Sequence, residues 1–547
     1  MRKRGRSART GAPRHRLFLF ALGLIVACAV VYEIAMVEGP AYFGDDSVYT
    51  YYANVAANGS FHEYATDIFS FRLLSIFPIA VFFKLFGISA LSSAAWAITA
   101  FAGAIVITFC IGRELYNDYA GLLAALLMGF FPLMTVLAGT PSPNMVEALV
   151  TGLVMLSVIR AQRSRSWLWY FLCGIFVVAA PLTTPAGAII IVVLAVYLAA
   201  ELVMGRIRLD RTSAYLIYGL LAAGACLMAF NYGNAGRPFI TITGTAAIYS
   251  TAGTAVEGIL INTNPYFYFN TMFPYRIISV LGNAAHYGIL NPLSIWSAIY
   301  SSNHNNVGFY FYAFVLSSLY LLARKEKRAY VPFVWFGVAF LYLEFGPIYF
   351  RLFPFEYIVT HRLWRYLTIV SVPTVLLISM GIVRFVHDNR RKARRYAALS
   401  ASAAIVCLLV LSGLQISLYW HSVVKYQTYD QRSIANYITT LPDSTGIYYE
   451  SGFADVLVYT GYDNMSRFHA YDSIRDCRGI PSNVYVIIPK YYSAFNLNYT
   501  PDPVQCPYWN LVLYPSYPDS VTSAVQAAGM PFQAKLYYTG NATAAAG

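Results

Sequence analysis

The sequence predicts an α-helical polytopic membrane protein with about eleven transmembrane helices and a small extracytoplasmic C-terminal α/β domain. Three observations predict it. Hydrophobic residues make up 58% of the 547 residues and charged residues only 12%, about half the charged share of a soluble globular protein. Apolar runs of about 20 residues recur along the chain, each long enough to cross a ~30 Å hydrocarbon core as a helix. After about residue 420 the apolar runs shorten to strand length. A soluble enzyme, a disordered chain, a collagen-like chain and a disulfide-dense secreted module are thereby excluded.

The N-terminus, MRKRGRSARTGAPRHR, is basic and precedes a 21-residue apolar run from Leu17 to Val37. A cleaved signal peptide has a shorter apolar region of roughly 7–15 residues, so a retained anchor with residues 1–16 in the cytoplasm is expected. Further runs follow at 89–112, 119–138, 145–159, 167–180, 186–204, 213–231, 306–323, 330–346, 363–385 and 397–419. The segment 71–88 carries Arg72, Pro78 and Lys84, and charge parity decides its place. If it stays at the surface, the basic loops at 113–118, 160–166, 206–211, 324–328 and 384–395 all fall inside, as the positive-inside rule requires. If it crosses, all of them fall outside. A juxtamembrane helix on the outer surface is the consistent reading.

This arrangement makes residues 17–420 a transmembrane domain with outer loops at 38–88 and 232–305, and puts everything after about 420 outside. The net charge of +13 lies largely in the loops flanking spans, so it speaks for membrane topology and against nucleic acid. Four N-x-Ser/Thr sequons, at Asn58, Asn464, Asn498 and Asn541, all fall in the outer regions. Within 421–540, strand-length runs at 446–451, 484–489, 511–515 and 534–539 alternate with helical patterns near 429–441 and 519–528, the signature of an α/β domain. The tail 541–547 reads as disordered. Five of the seven cysteines lie in apolar runs; Cys477 and Cys506 alone share the polar C-terminal region, where an oxidising compartment favours a disulfide.

The strongest chemical signal is GDDSVYTYYA, just after the first span. The adjacent Asp45 and Asp46 suit a general base, because neighbouring negative charge raises a carboxylate's pKa. They equally suit a divalent metal, which the sequence admits without requiring, or a plain helix cap. Cations share the same face: Arg72, Arg237, Arg276, Arg351, Arg362 and Arg365. Arginine matches phosphate geometry, and Arg365 lies inside the apolar run LWRYLTIVSVPTVLL, where charge is costly. The alternative is snorkelling to lipid headgroups. The turn AGTPSPNMVEA brings Asn144 and Glu147 to the outer end of a span, and Tyr49 is one of several outer tyrosines able to stack on a sugar. No H-x-x-x-H, C-x-x-C, G-x-S-x-G or G-x-x-x-x-G-K-[ST] pattern occurs, which argues against a dedicated zinc site, a serine hydrolase and a nucleotide-driven pump.

The acidic pair, KLFG at 84–87, RELYNDYAGLLAALLMGFFP from Arg113, SPNMVEA from Ser142 and WRYLTIVSVPTVL from Trp364 occur in this order. Together, over about residues 15–390, they resemble the GT-C membrane glycosyltransferases, in particular the protein O-mannosyltransferase and aminoarabinose-transferase-like branch. The resemblance implies an inverting enzyme of the cell membrane that moves a sugar from a polyprenyl-phosphate donor to a protein, lipid or glycan acceptor on the outer face. It implies Asp45 and Asp46 as catalytic acids and Arg72 and Arg365 near the lipid phosphate; by their place on the same face, Arg362 is a further donor-phosphate candidate, and Tyr49, Asn144 and Glu147 are candidates near acceptor or sugar. The family often has an aspartate where this chain has Asn144, so Glu147 is the candidate for a second carboxylate. An oligosaccharyltransferase-like enzyme is the nearest rival, but its W-W-D-Y-G motif is absent. A transporter or lipid-binding protein would place polar residues near the midplane of repeated halves.

Overall fold

The computed structural model describes residues 12–37, 45–64, 69–207, 210–244, 307–351, 356–359, 364–389, 391–450, 457, 459–461, 465–471, 480–488, 509–513 and 535–539. Its helices follow the apolar runs. α1 (Ala12–Met36) is followed by two short helices, α2 (Asp45–Ala57) and α3 (Leu73–Phe86). Then come α4 (Ala90–Leu115), α5 (Asp118–Gly129), α6 (Pro132–Ala138), α7 (Pro143–Ser164), α8 (Trp167–Ala179), α9 (Ile189–Val203) and α10 (Tyr215–Ala235). Beyond the large loop lie α11 (Tyr310–Ala323), α12 (Tyr330–Phe345), α13 (Thr368–Asp388) and α14 (Lys392–Gln427).

Among the described residues, seven helices are long and apolar enough to cross a membrane, and eight if α5 and α6 are one span bent by 55°. The bend has a cause: Pro132 cannot donate to the preceding turn, so the helix breaks before it and restarts with proline in its first turn. The remaining runs of the expected eleven form the shorter helices α8, α11 and α12. α3 has 14 residues, about 21 Å of helix, too short to cross. It packs along α2 through Ile76, Ile79, Ala80 and Phe83 against Tyr49, Tyr52 and Ala53, and Trp96 Nε1 on α4 donates to the Leu74 carbonyl at 2.8 Å.

One apolar core runs through the bundle, and α13 is its centre: every residue from Thr368 to Gly381 is buried. Where α8 and α10 cross, Gly174 and Gly219 let the backbones touch. A Cβ on Gly219 would stand 2.1 Å from the Phe171 carbonyl oxygen. The basic loops converge on one end of the bundle. There Glu114 pairs with Arg163 at 2.9 Å and Arg160 at 3.5 Å, Arg384 with Glu326 at 3.2 Å, and Arg324 with Asp388 at 3.2 Å. Arg206 lies over the Tyr330 ring and Arg328 over Tyr116. The loops that charge parity assigned to one side thus share one physical face.

At the opposite end, two elements depart from the expected turns. Residues 347–362, expected as a simple turn, contain an antiparallel pair, β1 (Pro347–Arg351) and β2 (Glu356–Val359). Among the described residues, the C-terminal domain holds a five-stranded mixed sheet of β3 (Ile447–Glu450), β4 (Phe468–Tyr471), β5 (Tyr485–Ile488), β6 (Trp509–Leu513) and β7 (Lys535–Thr539), in the order β4-β3-β5-β7-β6. β3 pairs parallel with β4 and β5, whereas β7 runs antiparallel to β5 and β6. α15 (Tyr429–Thr439) covers the sheet with Ile434, Ala435 and Ile438. Tyr51 of α2 and Ile88 after α3 pack on that same core. The helix expected at 519–528 lies outside the described residues.

α14 is one unbroken helix of 36 residues. It carries His421 past the end of its apolar stretch, where the imidazole Nε2 stands 3.9 Å from Glu33 of α1. Both side chains are buried, and Gly139 lies close against them: a Cβ there would meet His421 at 3.0 Å, so the imidazole would have to give way by a few tenths of an ångström.

Candidate active site at the end of the bundle opposite the basic loops

α2, α3, α7 and the segment entering α13 bring the predicted residues to one end. Asp45 opens α2; its side chain lies outside the described residues. Asp46 is 1% exposed and Tyr49, one turn on, is fully buried. The Tyr49 hydroxyl has no hydrogen-bond partner. Arg72 sits at the head of α3, where its carbonyl accepts from the Ser75 and Ile76 amides at 2.9 and 3.1 Å. That places its side chain among the residues leading into the helix. The guanidinium lies 5.1 Å from the Tyr49 ring centroid and 5.2 Å from that of Phe69. It is 8% exposed, and its Nε is buried without a partner. A buried cation held by two aromatic faces, with no carboxylate against it among the described residues, keeps its charge available to an anion.

The SPNMVEA turn folds as a helix start. Ser142 caps α7, its hydroxyl accepting from the Asn144 amide, and Pro143 takes the first position, where its missing N–H costs nothing. Asn144 and Glu147 then project one turn apart and are 1% and 0% exposed. Asn144 Nδ2 donates to Glu147 Oε2 at 3.4 Å. The same oxygen accepts the hydroxyl of Thr184, whose own oxygen caps the 3₁₀ turn Pro185–Ala188 by accepting from the Gly187 amide at 3.1 Å. Arg365 is half-buried in the 3₁₀ turn Trp364–Leu367, and the Thr368 hydroxyl donates to its carbonyl at 3.0 Å.

Other predicted residues fall elsewhere. Arg237 is exposed. Arg276 and Arg362 lie outside the described residues, as do Cys477 and Cys506 and hence their pairing. The same holds for the side chain of Arg351. Among the described residues, no group of three or more His, Cys, Asp or Glu is placed to hold a metal ion. The sequence reading passed over Thr184, Thr368, Glu33 and His421. The signal for Glu33 was present, an acid inside an apolar run, whereas Thr184 in TTPAG reads only as a turn cap.

Residues 73–231 match the family profile described as dolichyl-phosphate-mannose-protein mannosyltransferase. The fold is similar to that of ArnT from Cupriavidus metallidurans in the apo state, with a TM-score of 0.55 and 12% identity over 94% of this chain and 97% of ArnT. The undecaprenyl-phosphate-bound form of ArnT gives 0.54 at 12% identity, over 95% and 98% of the two chains. The chain thus has the fold of a membrane glycosyltransferase, and residues 73–231 resemble the mannosyltransferase family. Another GT-C fold, the apo oligosaccharyltransferase of Archaeoglobus fulgidus, matches at a TM-score of 0.51 and 12% identity over 87% of this chain and 70% of that one. No curated protein matches the sequence. In this chain the acidic helix α2, the stacked arginine and the buried Asn144–Glu147 turn all stand at one end of a multi-pass bundle.

Proposed function

We propose that the protein transfers a sugar from a polyprenyl-phosphate donor to a protein, lipid or glycan acceptor at the extracytoplasmic membrane surface. The observation that carries this reading is Arg72: a buried guanidinium, stacked on Tyr49 of the acidic helix and, among the described residues, joined to no carboxylate. Such a cation suits a phosphate whose prenyl tail remains in lipid. ArnT, whose fold this chain shares, has been crystallised with undecaprenyl phosphate, which supports a donor of the same class. Arg365, and with it Arg362, would share the phosphate.

The step is a single displacement. The acceptor oxygen or nitrogen attacks the anomeric carbon, its proton passes to the Asp45 carboxylate, and the bond from anomeric carbon to phosphate oxygen breaks. The electron pair leaves on the lipid phosphate, where the arginines stabilise it, and configuration at the anomeric carbon inverts. Asp46 lies buried on the same helix, next to the base. The phosphate ester already activates the sugar, so no nucleotide is needed outside the cell.

Incubating the purified protein with labelled polyprenyl-phosphate sugars and candidate acceptors tests the reading. Asp45→Asn keeps shape while removing the base, and should lower the transfer rate by about 10²–10⁴. Near-normal transfer by folded Asp45→Asn would return GDDSVY to the role of a helix cap.

A further inference from the structure

Two apolar cores meet at the end of the bundle that carries the site. One fills the space between α2 and α3 with Tyr52, Ile76 and Phe83; the other lies between α15 and the sheet, with Ile434 and Ile438. Among the described residues, Tyr51 and Ile88 are the side chains that pack on both. The Tyr51 ring meets the Tyr52 ring edge-on at 5.7 Å, and Tyr52 is buried, so the core of the C-terminal domain runs on into the α2–α3 core. Two positions before Tyr51, the Tyr49 ring carries the Arg72 guanidinium. At about 3.6 residues per turn, residues two apart leave a helix on nearly opposite sides. α2 is therefore clamped, with the stacked arginine on one side and the C-terminal domain on the other.

Resting on the transferase reading above, we propose that Tyr51 is a positioning residue for acceptor activation: through it the C-terminal domain fixes the placement of α2, and with it the place where Asp45 meets the acceptor. Tyr51 works on the helix and not on the reacting atoms, since its ring lies between two apolar cores. Asp45, the first residue of α2, stands six residues before it, about 9 Å along the axis, so any tilt of the helix at Tyr51 is carried to the base. Ile88, two residues past the end of α3, makes the same contact from the other helix of the pair. The domain is thus tied to the bundle twice, covalently through α14 and by packing at Tyr51 and Ile88, and the second tie is the one that bears on the site. Packing of this kind is non-directional, so the ring of Tyr51 carries the role and its hydroxyl does not.

The test uses the full-length protein in detergent, with transfer measured at saturating donor and acceptor. Donor holding is read separately as binding of farnesyl phosphate, which needs no turnover. Displacing a positioned group by about an ångström can cost up to 10²-fold, so Tyr51→Ala should lower kcat by roughly ten- to hundredfold, with farnesyl phosphate affinity staying within about threefold. Tyr51→Phe, which keeps the ring, should retain at least half of the wild-type kcat. Val486→Ala separates placement from stability. Val486 is buried with Trp509 and Tyr537 in a cluster apart from the one that Tyr51 touches, so this variant should melt lower than wild type yet keep kcat within twofold. A kcat within twofold of wild type in folded Tyr51→Ala would overturn the positioning role. So would a loss in Tyr51→Phe as large as in Tyr51→Ala, which would trace the effect to the hydroxyl, or an equal loss in Val486→Ala, which would trace it to domain stability. Farnesyl phosphate affinity falling in step with kcat would also overturn it, by making Tyr51 part of donor holding. Wild-type protein that binds farnesyl phosphate but transfers no sugar would instead overturn the transferase reading on which the role depends.

Discussion

Arg72→Lys isolates what the planar guanidinium contributes beyond its charge. The variant keeps a cation at the head of α3 but loses the flat surface that lies 5.1 Å and 5.2 Å from the Tyr49 and Phe69 centroids. It also loses the fork that engages two phosphate oxygens at once. A desolvated cation–π contact is worth about 2 kcal/mol and an exposed one about 0.5–1 kcal/mol. A lysine ammonium retains part of that attraction, so a net loss of about 1–2 kcal/mol in donor holding is expected, equivalent to roughly five- to thirtyfold in affinity. The assay is initial transfer rate against donor concentration at saturating acceptor, with protein folding checked by thermal melting. Donor KM should rise by that factor while acceptor KM stays constant. A donor KM within twofold of wild type would refute the reasoning, and Arg72 would then be a structural cation held by its aromatic neighbours.

Three further outcomes are expected. A Cys477–Cys506 disulfide should appear in the native protein by non-reducing mass spectrometry, contributing roughly 2–4 kcal/mol to the domain; two free thiols would reject it. On the proposed topology, which puts the C-terminal domain outside and the basic loops inside, an impermeant maleimide should label Ser444→Cys on intact cells and miss Arg391→Cys, both positions being exposed; the reverse pattern would invert the topology. Gly219→Ala should destabilise the fold by about 1–3 kcal/mol through overpacking, because its Cβ meets the Phe171 carbonyl at 2.1 Å. Gly224→Ala, where a Cβ meets nothing within 4 Å, should melt no lower than wild type.

Much of the fold was legible because lipid imposes a simple code. A run of apolar residues must fold as a helix to satisfy its own backbone, and each expected run is found in a helix or, at 119–138, a bent pair. What the code lacks is crossing geometry. α8, α11 and α12 are 13, 14 and 16 residues long, so composition alone could not show that seven of the described helices meet the length of a full span. Short strands escaped where their pattern was weak. β4, FHAY, pairs polar and apolar positions without a run, and its place comes from the parallel register with β3. The same limit applies at the site. Arg72 stood out as a charge heading an apolar segment, but Thr184 is brought to Glu147 across 37 residues of sequence, a contact no local spacing encodes.

The length of α14 has a mechanical consequence. Its apolar stretch ends at Leu418 while the helix continues to Gln427, nine residues or about 14 Å of rigid rod that carry the C-terminal domain clear of the hydrocarbon. Rods of this kind have phase as well as length. Adding one residue between His421 and Thr428 would lift the domain by only about 1.5 Å but swing it through about 100°, taking its core away from Tyr51 and Ile88. Inserting a full turn of about four residues would nearly restore the bearing and raise the domain about 6 Å. Grafting a foreign domain onto this bundle is therefore a problem of rotational registration: the junction belongs after Gln427, and linkers there should be chosen by angle before they are chosen by reach.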